Sequence, residues 1–199
     1  MMKAAQDHKG KTIGMWLFLY SEIILFGGLF VLYAAYFNRY SSDFISGGHE
    51  LNRIIGSINT LILLTSSFTV AASLTAVRRN SNRTAGLLLG FSMVCGLVFL
   101  VNKYFEWSHK FHAGIYPNSE QLVNGPPGVN IFFGMYYMIT GLHGLHVIIG
   151  SLLLGFSLQK LVKRKITAES HAFLENSALY WHLVDLIWIF VFPLFYLVL

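Results

Sequence analysis

The sequence predicts an all-α, polytopic membrane protein in which residues 1–199 form a single domain of five transmembrane helices. The first observation is composition: 55% of the residues are hydrophobic and only 12% are charged, about half the ~25% of soluble domains. The second is the presence of five apolar runs long enough to cross a bilayer at ~1.5 Å per residue. The third is that basic residues gather in alternate connections between these runs.

Each apolar run has the length of a helix that crosses a membrane, and none alternates with period two as a barrel strand would. The first is interrupted only by Glu22, and the fifth contains Asp185 and is expected to bend late at Pro193. The connection at 108–128 is predicted to be a structured external cap. The predicted spans are 13–37, 54–77, 84–106, 129–159 and 177–199.

The distribution of basic residues predicts the orientation of the chain, because cytoplasmic loops carry an excess of Lys and Arg. One side has ten such residues and the other has four, so the N-terminus is predicted to be cytoplasmic and the C-terminus outside. The net charge of +5 therefore reflects topology, and no nucleic acid partner is expected. The ten are Lys3, Lys9, Lys11, Arg78, Arg79, Arg83, Lys160, Lys163, Arg164 and Lys165; the four are Arg39, Arg53, Lys103 and Lys110.

Small residues recur at heptad spacing along the spans and predict close helix packing, because they let backbones approach in a membrane. Gly150, one turn beyond His146, is one place where another helix is expected to come close. The repeats are Gly14, Ser21, Gly28 and Ala35 on the first span, and Asn59, Ser66 and Ser73 on the second.

Glu22, preceded by Ser21, lies roughly 14 Å along the first helix from its cytoplasmic end. An acidic residue at such depth costs about 2.5–3.5 kcal/mol on insertion scales unless it is paired, hydrated or protonated. We interpret it as an unpaired acid in an apolar run. Two roles stay open: a proton-handling or lipid-facing group, and a buried carboxyl that bonds to a neighbouring helix.

His143 and His146 share one face of the fourth span, inside 39 consecutive uncharged residues. Counted from the cytoplasmic ends, His146 lies roughly 18 Å deep and His143 roughly 22 Å, whereas His182 lies roughly 6–8 Å deep. These depths do not match as a pair of haem ligands would, and the single Cys95 excludes a paired-cysteine metal site. We predict no metal site, no bound haem and no catalytic residue in this chain.

On the fifth span, Trp181, Asp185 and Trp188 share one face. His182 precedes Asp185 by three residues, a spacing at which the two side chains can form a charge-assisted hydrogen bond. This pair is predicted to be a structural clamp, with a proton relay as the alternative. Glu106 with Trp107 is predicted to be an anchor at the outer membrane interface.

Five motifs, in order along the chain, together resemble subunit III of the haem-copper respiratory oxidases in its five-helix bacterial form. The glutamate motif and the two histidine motifs are the most specific when they occur together. The motifs are MWLFLYSE at 15–22 followed by FGGLF at 26–30, NT at 59–60 with SS at 66–67, YFEW at 104–107, GLHGLHV at 141–147 and YWHLVDLIW at 180–188.

The resemblance implies a non-catalytic subunit of a proton-pumping cytochrome c oxidase in a bacterial inner membrane. It implies packing on oxidase subunits I and II, with haem and copper held by those partners, and association with phospholipid and proton uptake. By the resemblance, Ser21, Glu22, Glu106 and Trp107 are the residues related to proton uptake or lipid. His143, His146, Trp181, His182, Asp185 and Trp188 are structural signature positions.

Three alternatives remain at this stage. The chain could be subunit III of a quinol oxidase, which has the same five-helix plan, or an accessory subunit of nitric oxide reductase. A stand-alone proton or solute carrier is the more distant alternative, since transporters tend to show internal repeats and none is evident here.

Overall fold

The computed structural model describes residues 2–197, and only the backbone of residues 2–9, 11 and 12. Within that range all regular structure is helical, and five helices are long and apolar enough to cross a membrane. The predicted fold class is therefore confirmed. The last two residues of the predicted fifth span lie outside the described range. The helices are α1 (Met2–Arg39), α2 (Ser41–His49), α3 (Arg53–Arg78), α4 (Asn82–His112), α5 (Glu120–Val123), α6 (Pro127–Val162) and α7 (Ala172–Phe192), with a π-helical turn at Pro193–Leu197.

Four of the spanning helices form a closed ring in which α3 packs on α4, α4 on α6, α6 on α7 and α7 on α3. Helix α1 lies outside this ring against α6 and α7, and most of it is exposed in the isolated chain. The polar seam of α3 faces the ring interior, where Asn59, Ser66 and Ser73 are completely buried. The predicted role of this seam in packing is confirmed.

The small-residue repeat of α1 does not pack inside the chain, contrary to prediction. Gly14, Ser21, Gly28 and Ala35 are all exposed, and nothing lies within 4 Å of a side-chain carbon built on Gly14 or Gly28. The reason is the position of α1 outside the ring, which leaves this face free in the isolated chain.

The prediction of a close approach at Gly150 is confirmed. A side-chain carbon added there would lie 2.8 Å from Cε3 of Trp181, and one added at Gly96 of α4 would lie 2.8 Å from the same ring. Trp181 is completely buried. It therefore lies in a space that glycines on two neighbouring helices leave open.

Helix α2 was not among the predicted elements. Its Gly47 packs so closely on Phe132 that an added carbon would lie 2.5 Å from the ring, and Asp43 Oδ2 accepts a hydrogen bond from the Gly128 amide at 3.1 Å. The carboxylate thus lies at the start of α6, where the helix dipole favours negative charge. Helix α5, within the 108–128 connection, packs on α6 as well, so this connection is structured, as predicted; its placement outside the membrane stays a prediction.

Candidate functional site

Three groups of polar side chains inside the spanning region contain most of the residues that the sequence singles out. The α1–α6 contact consists of Glu22 and His146. The Lys103 network consists of Lys103, Glu106, Tyr136 and Tyr196. The α3–α7 contact joins the indoles and the imidazole of α7 to hydroxyl groups of α3.

The α1–α6 contact is a hydrogen bond of 2.8 Å between Glu22 Oε2 and His146 Nε2. Their side chains are 13% and 9% exposed, so both groups are largely removed from lipid. The interpretation of Glu22 as an unpaired acid is wrong: its partner lies 124 positions further along the chain. The alternative of a carboxyl bonded to a neighbouring helix describes the geometry.

The second nitrogen of His146 determines how protons are arranged in this contact. Nδ1 lies 2.7 Å from the carbonyl oxygen of Leu142, and because a carbonyl only accepts, Nδ1 carries a hydrogen. Nε2 then either accepts from a protonated Glu22 or, in the imidazolium form, donates to the carboxylate. The contact thus uses both ring nitrogens of His146, one toward its own helix and one toward α1.

Aromatic rings surround the imidazole of His146. Phe26 contacts it edge-on at 5.3 Å between centroids and Tyr180 stacks on it at 6.4 Å. Ser21 does not join the pair: its hydroxyl is exposed and donates to the Phe18 carbonyl of its own helix at 2.7 Å.

The Lys103 network links α4, α6 and the π-helical turn in a buried position. Lys103 Nζ donates to Glu106 Oε2 at 3.1 Å, to the Tyr136 hydroxyl at 2.9 Å and to the Tyr196 hydroxyl at 2.8 Å. Glu106 Oε1 accepts from Tyr136 at 2.8 Å and from Tyr196 at 2.6 Å. All three ammonium hydrogens and both carboxylate oxygens thus have partners, which is the condition for retaining a buried ion pair.

The prediction that Glu106 is an interfacial anchor is wrong, because its carboxylate points into the ring of helices and pairs with Lys103. Helix α4 also extends to His112, so Lys103 and Lys110 belong to the helix rather than to an external loop. Both lysines are 7% exposed, as is Glu106. Trp107 turns away from this network and packs on Tyr137, 5.1 Å between centroids.

The α3–α7 contact is a row of three side-chain hydrogen bonds. Trp181 Nε1 donates to Ser66 Oγ at 2.9 Å and Trp188 Nε1 donates to Thr60 Oγ1 at 3.0 Å. His182 Nδ1 lies 2.6 Å from Ser67 Oγ. The row fixes both the rotation and the height of α7 against α3.

The predicted His182–Asp185 clamp is wrong, since His182 bonds to α3 instead. Asp185 is 3% exposed, and within the described part of the chain neither of its carboxyl oxygens has a hydrogen-bond partner. The spacing allowed the pair, but a residue on the neighbouring helix competes successfully for the imidazole.

His143 and His146 share one face of α6 but reach different neighbours. His143 is completely buried between Trp188 and Phe99, with centroid distances of 5.0 and 5.5 Å. Among residues 2–197 its ring nitrogens have no hydrogen-bond partner. His146 instead faces α1, so the two imidazoles do not form one site.

Sequence reasoning missed three participants, Lys103, Tyr136 and Tyr196, and it gave Thr60, Ser66 and Ser67 no hydrogen-bonding role. The spacing of Lys103 and Glu106, three positions apart on one helix, could have identified their pairing. No comparable signal marks the tyrosines, which belong to other elements. In the described residues no three His, Cys, Asp or Glu side chains form a group that could hold a metal; the expectation that this chain binds no haem or copper stays a prediction.

The sequence is similar to known proteins along the whole helical bundle. The family described as cytochrome c oxidase subunit III matches residues 2–198. The chain is 32% identical to cytochrome c oxidase subunit 3 of Synechocystis sp. over 198 residues, 97% of this chain and 79% of that protein. It is 31% identical to quinol oxidase subunit 3 of Bacillus spizizenii over 186 residues, 93% of this chain and 85% of that protein.

A third relative is longer. The chain is 33% identical to heme-copper oxidase subunit I+III of Aeropyrum pernix over 196 residues, 92% of this chain and 22% of that protein. The family match extends over all five spans. This chain therefore belongs to the cytochrome c oxidase subunit III family of the haem-copper oxidases.

Proposed function

We propose that this chain is the non-catalytic subunit III of a proton-pumping cytochrome c oxidase, packed on the catalytic subunit I in a complex that also contains subunit II. The observation that carries the proposal is how its buried polar groups are used. The Lys103 network, the α1–α6 contact and the α3–α7 contact all join one helix to another. Such groups build a scaffold for a partner that performs the redox chemistry.

The name of the Aeropyrum relative, subunit I+III, supports subunit I as the direct neighbour. The exposed small-residue face of α1 offers a surface on which another helix or lipid can pack closely. Haem and copper are then expected in the partner subunits.

For the membrane, we propose a bacterial inner membrane with the N-terminus cytoplasmic and the C-terminus outside. The basic-residue count supports this orientation, with ten Lys and Arg residues on one side of the spans and four on the other. Glu22 with His146, a largely buried hydrogen-bonded pair that joins α1 to α6, is the proposed element that supports proton uptake. Bound phospholipid is proposed alongside it.

A quinol oxidase is the second candidate, favoured by the 31% identity to quinol oxidase subunit 3 over most of both chains. The Ser21–Glu22 and Glu106–Trp107 motifs favour cytochrome c as the donor. A nitric oxide reductase accessory subunit and a stand-alone carrier are more distant candidates. In the Lys103 network the ammonium hydrogens and both carboxylate oxygens already have partners within the chain, so the ion pair has no free donor or acceptor with which a carrier could bind a solute.

The test is purification of the tagged chain from its native membrane in mild detergent. We expect partner subunits, haem absorption bands and oxygen consumption with reduced cytochrome c. Oxygen consumption with quinol alone would select the second candidate. Recovery of the chain without haem-containing partners, together with solute or proton transport in liposomes, would refute an oxidase subunit of either kind.

A further inference from the structure

Three side chains that carry or can carry charge meet where α3 ends and α7 begins, apart from the three polar groups of the spanning region. Arg78 Nη2 donates to Glu175 Oε1 at 2.7 Å, and Arg78 Nε donates to His171 Nε2 at 3.4 Å. His171 Nε2 in turn lies 3.2 Å from the same oxygen of Glu175. One carboxylate oxygen is thus within reach of two side chains that can be positive.

The contact with Arg78 determines the protonation of His171 in this arrangement. A guanidinium only donates, so Nε2 accepts and the ring is neutral with its hydrogen on Nδ1. Nδ1 is buried, and among residues 2–197 it has no hydrogen-bond partner. The neutral ring therefore supports Arg78 as an acceptor while its own N–H stays unpaired.

A proton added to Nε2 reverses this contact. The imidazolium carries hydrogens on both nitrogens and cannot accept from Arg78, whereas Glu175 Oε1 can accept from it at the distance already present. His171 and Glu175, four positions apart, then pair along the start of α7. Because the ring is now positive, it also repels the guanidinium that it supported before.

The other charged groups around His171 do not take part in this exchange. Lys160 of α6 lies over the ring of Phe173, 3.3 Å from its centroid. Arg79 at the end of α3 and Glu169 in the connection before α7 are exposed to solvent. The choice of partner therefore lies among the three side chains that meet.

The two permanent charges are held in place by their positions on the helices. Glu175 lies in the first turn of α7 and Arg78 in the last turn of α3, where the helix dipole favours a negative and a positive charge respectively. His171 is accordingly the member of the group whose charge changes.

We propose that His171 is a proton-operated switch in the tie between α3 and α7. When neutral it supports the Arg78–Glu175 pair, and when protonated it takes Glu175 and releases Arg78. The Arg78–Glu175 pair joins two helices, whereas the His171–Glu175 pair lies at the start of one, so acid loosens this end of the bundle. The switch goes beyond the proposed function, since it needs only contacts within this chain.

The test is nuclear magnetic resonance of the full chain in micelles, with isotope-labelled arginine and histidine side chains. The pH is lowered from about 8 to about 5, the range in which histidine ordinarily gains its charge. We expect neutral His171 to carry its hydrogen on Nδ1, which the shifts of its ring nitrogens report. The Nε–H of Arg78 should exchange with water more slowly than that of Arg79, and this relative protection should fall about two- to fivefold as His171 is protonated, the size of a surface ion pair.

Two variants separate the switch from a general effect of acid. His171→Gln keeps an acceptor for Arg78 but cannot gain a proton, so the protection of Arg78 should no longer depend on pH. Glu175→Gln removes the shared negative charge, so the protection should be low at both ends of the range. His49→Gln is the matched control, because His49 is exposed beyond the opposite end of α3; it should leave the response of Arg78 unchanged.

Three results would overturn the proposal. The first is a neutral His171 with its hydrogen on Nε2, which the wild type alone reveals even if a variant fails to fold. The second is a pH response of Arg78 that persists in His171→Gln, and the third is an equal loss of the response in His49→Gln. Haem content and oxygen consumption enter none of these measurements, so failure here is distinguishable from failure of the proposed function.

Discussion

Breaking the buried ion pair of the Lys103 network should cost more than removing the whole pair. Lys103→Met leaves the Glu106 carboxylate, 7% exposed, without its counter-charge. Removing one partner of a buried pair typically costs about 3–5 kcal/mol, because an uncompensated charge stays behind. We expect a loss of that size in the free energy of unfolding.

Adding Glu106→Gln to Lys103→Met should recover much of this loss. The amide oxygen of glutamine can still accept from both tyrosine hydroxyls, and no charge then remains in the network. We expect a coupling of at least about 2 kcal/mol between the two substitutions. Arg78→Gln is the matched control, because the Arg78–Glu175 pair, 55% and 31% exposed, should contribute no more than about 1 kcal/mol.

Unfolding of the chain in mixed micelles, followed through its four tryptophans, measures these differences, and the thermal midpoint of the assembled complex is a second readout. Two results would contradict a charged pair in this network: a cost of less than about 1 kcal/mol for Lys103→Met, or a loss in the double variant equal to the sum of the two single losses. Either result would mean that the ammonium and carboxylate are not held as a charged pair.

The other groups yield three further tests. Glu22→Gln keeps a hydrogen bond across the α1–α6 contact but removes the titratable carboxyl group, so we expect normal assembly and a modest fall in turnover, measured as oxygen consumption; loss of assembly would assign the carboxylate a structural role. Ser67→Ala should lower stability by about 1 kcal/mol because the half-buried imidazole of His182 loses its hydrogen bond, whereas Asp185→Asn should change it by less than about 0.5 kcal/mol; the reverse order in the same unfolding assay would restore the rejected clamp. Gly150→Ala should lower the free energy of unfolding by about 1–3 kcal/mol, because the added carbon displaces the buried indole of Trp181. Gly134→Ala is the control and should lower it by nothing measurable, because the space around Gly134 is open. Equal losses in the two variants would show that helix flexibility, not packing, governs both sites.

The helices could be located from the sequence because crossing a bilayer demands a long apolar run, and that demand is visible in composition alone. Depth could be counted as well: Glu22 and His146 were placed roughly 14 and 18 Å from the same side, and they do meet. Counting residues gives neither the rotation of each helix about its axis nor the helix that packs beside it. For that reason Glu22 was interpreted as unpaired.

The Lys103 network escaped prediction for a related reason. Lys103 follows directly on an uncharged run and is predicted from the sequence to lie in an external connection, although Glu106 one turn later could neutralise it. Tyr196 reaches the pair from the π-helical turn that begins at Pro193. Ideal helical periodicity does not describe such a turn, so no count of residues along α7 leads to its position.

The separation of Glu22 from His146 has a consequence for how the chain is made. At roughly 5–20 residues per second, the 124 positions between them correspond to about 6–25 seconds of synthesis. During this interval α1 is already in the membrane and its carboxyl group has nothing of its own chain to bond with. Insertion of α1 into the membrane must therefore rely on its apolar residues. The hydrogen bond that attaches α1 to α6 can form only after α6 has been synthesised.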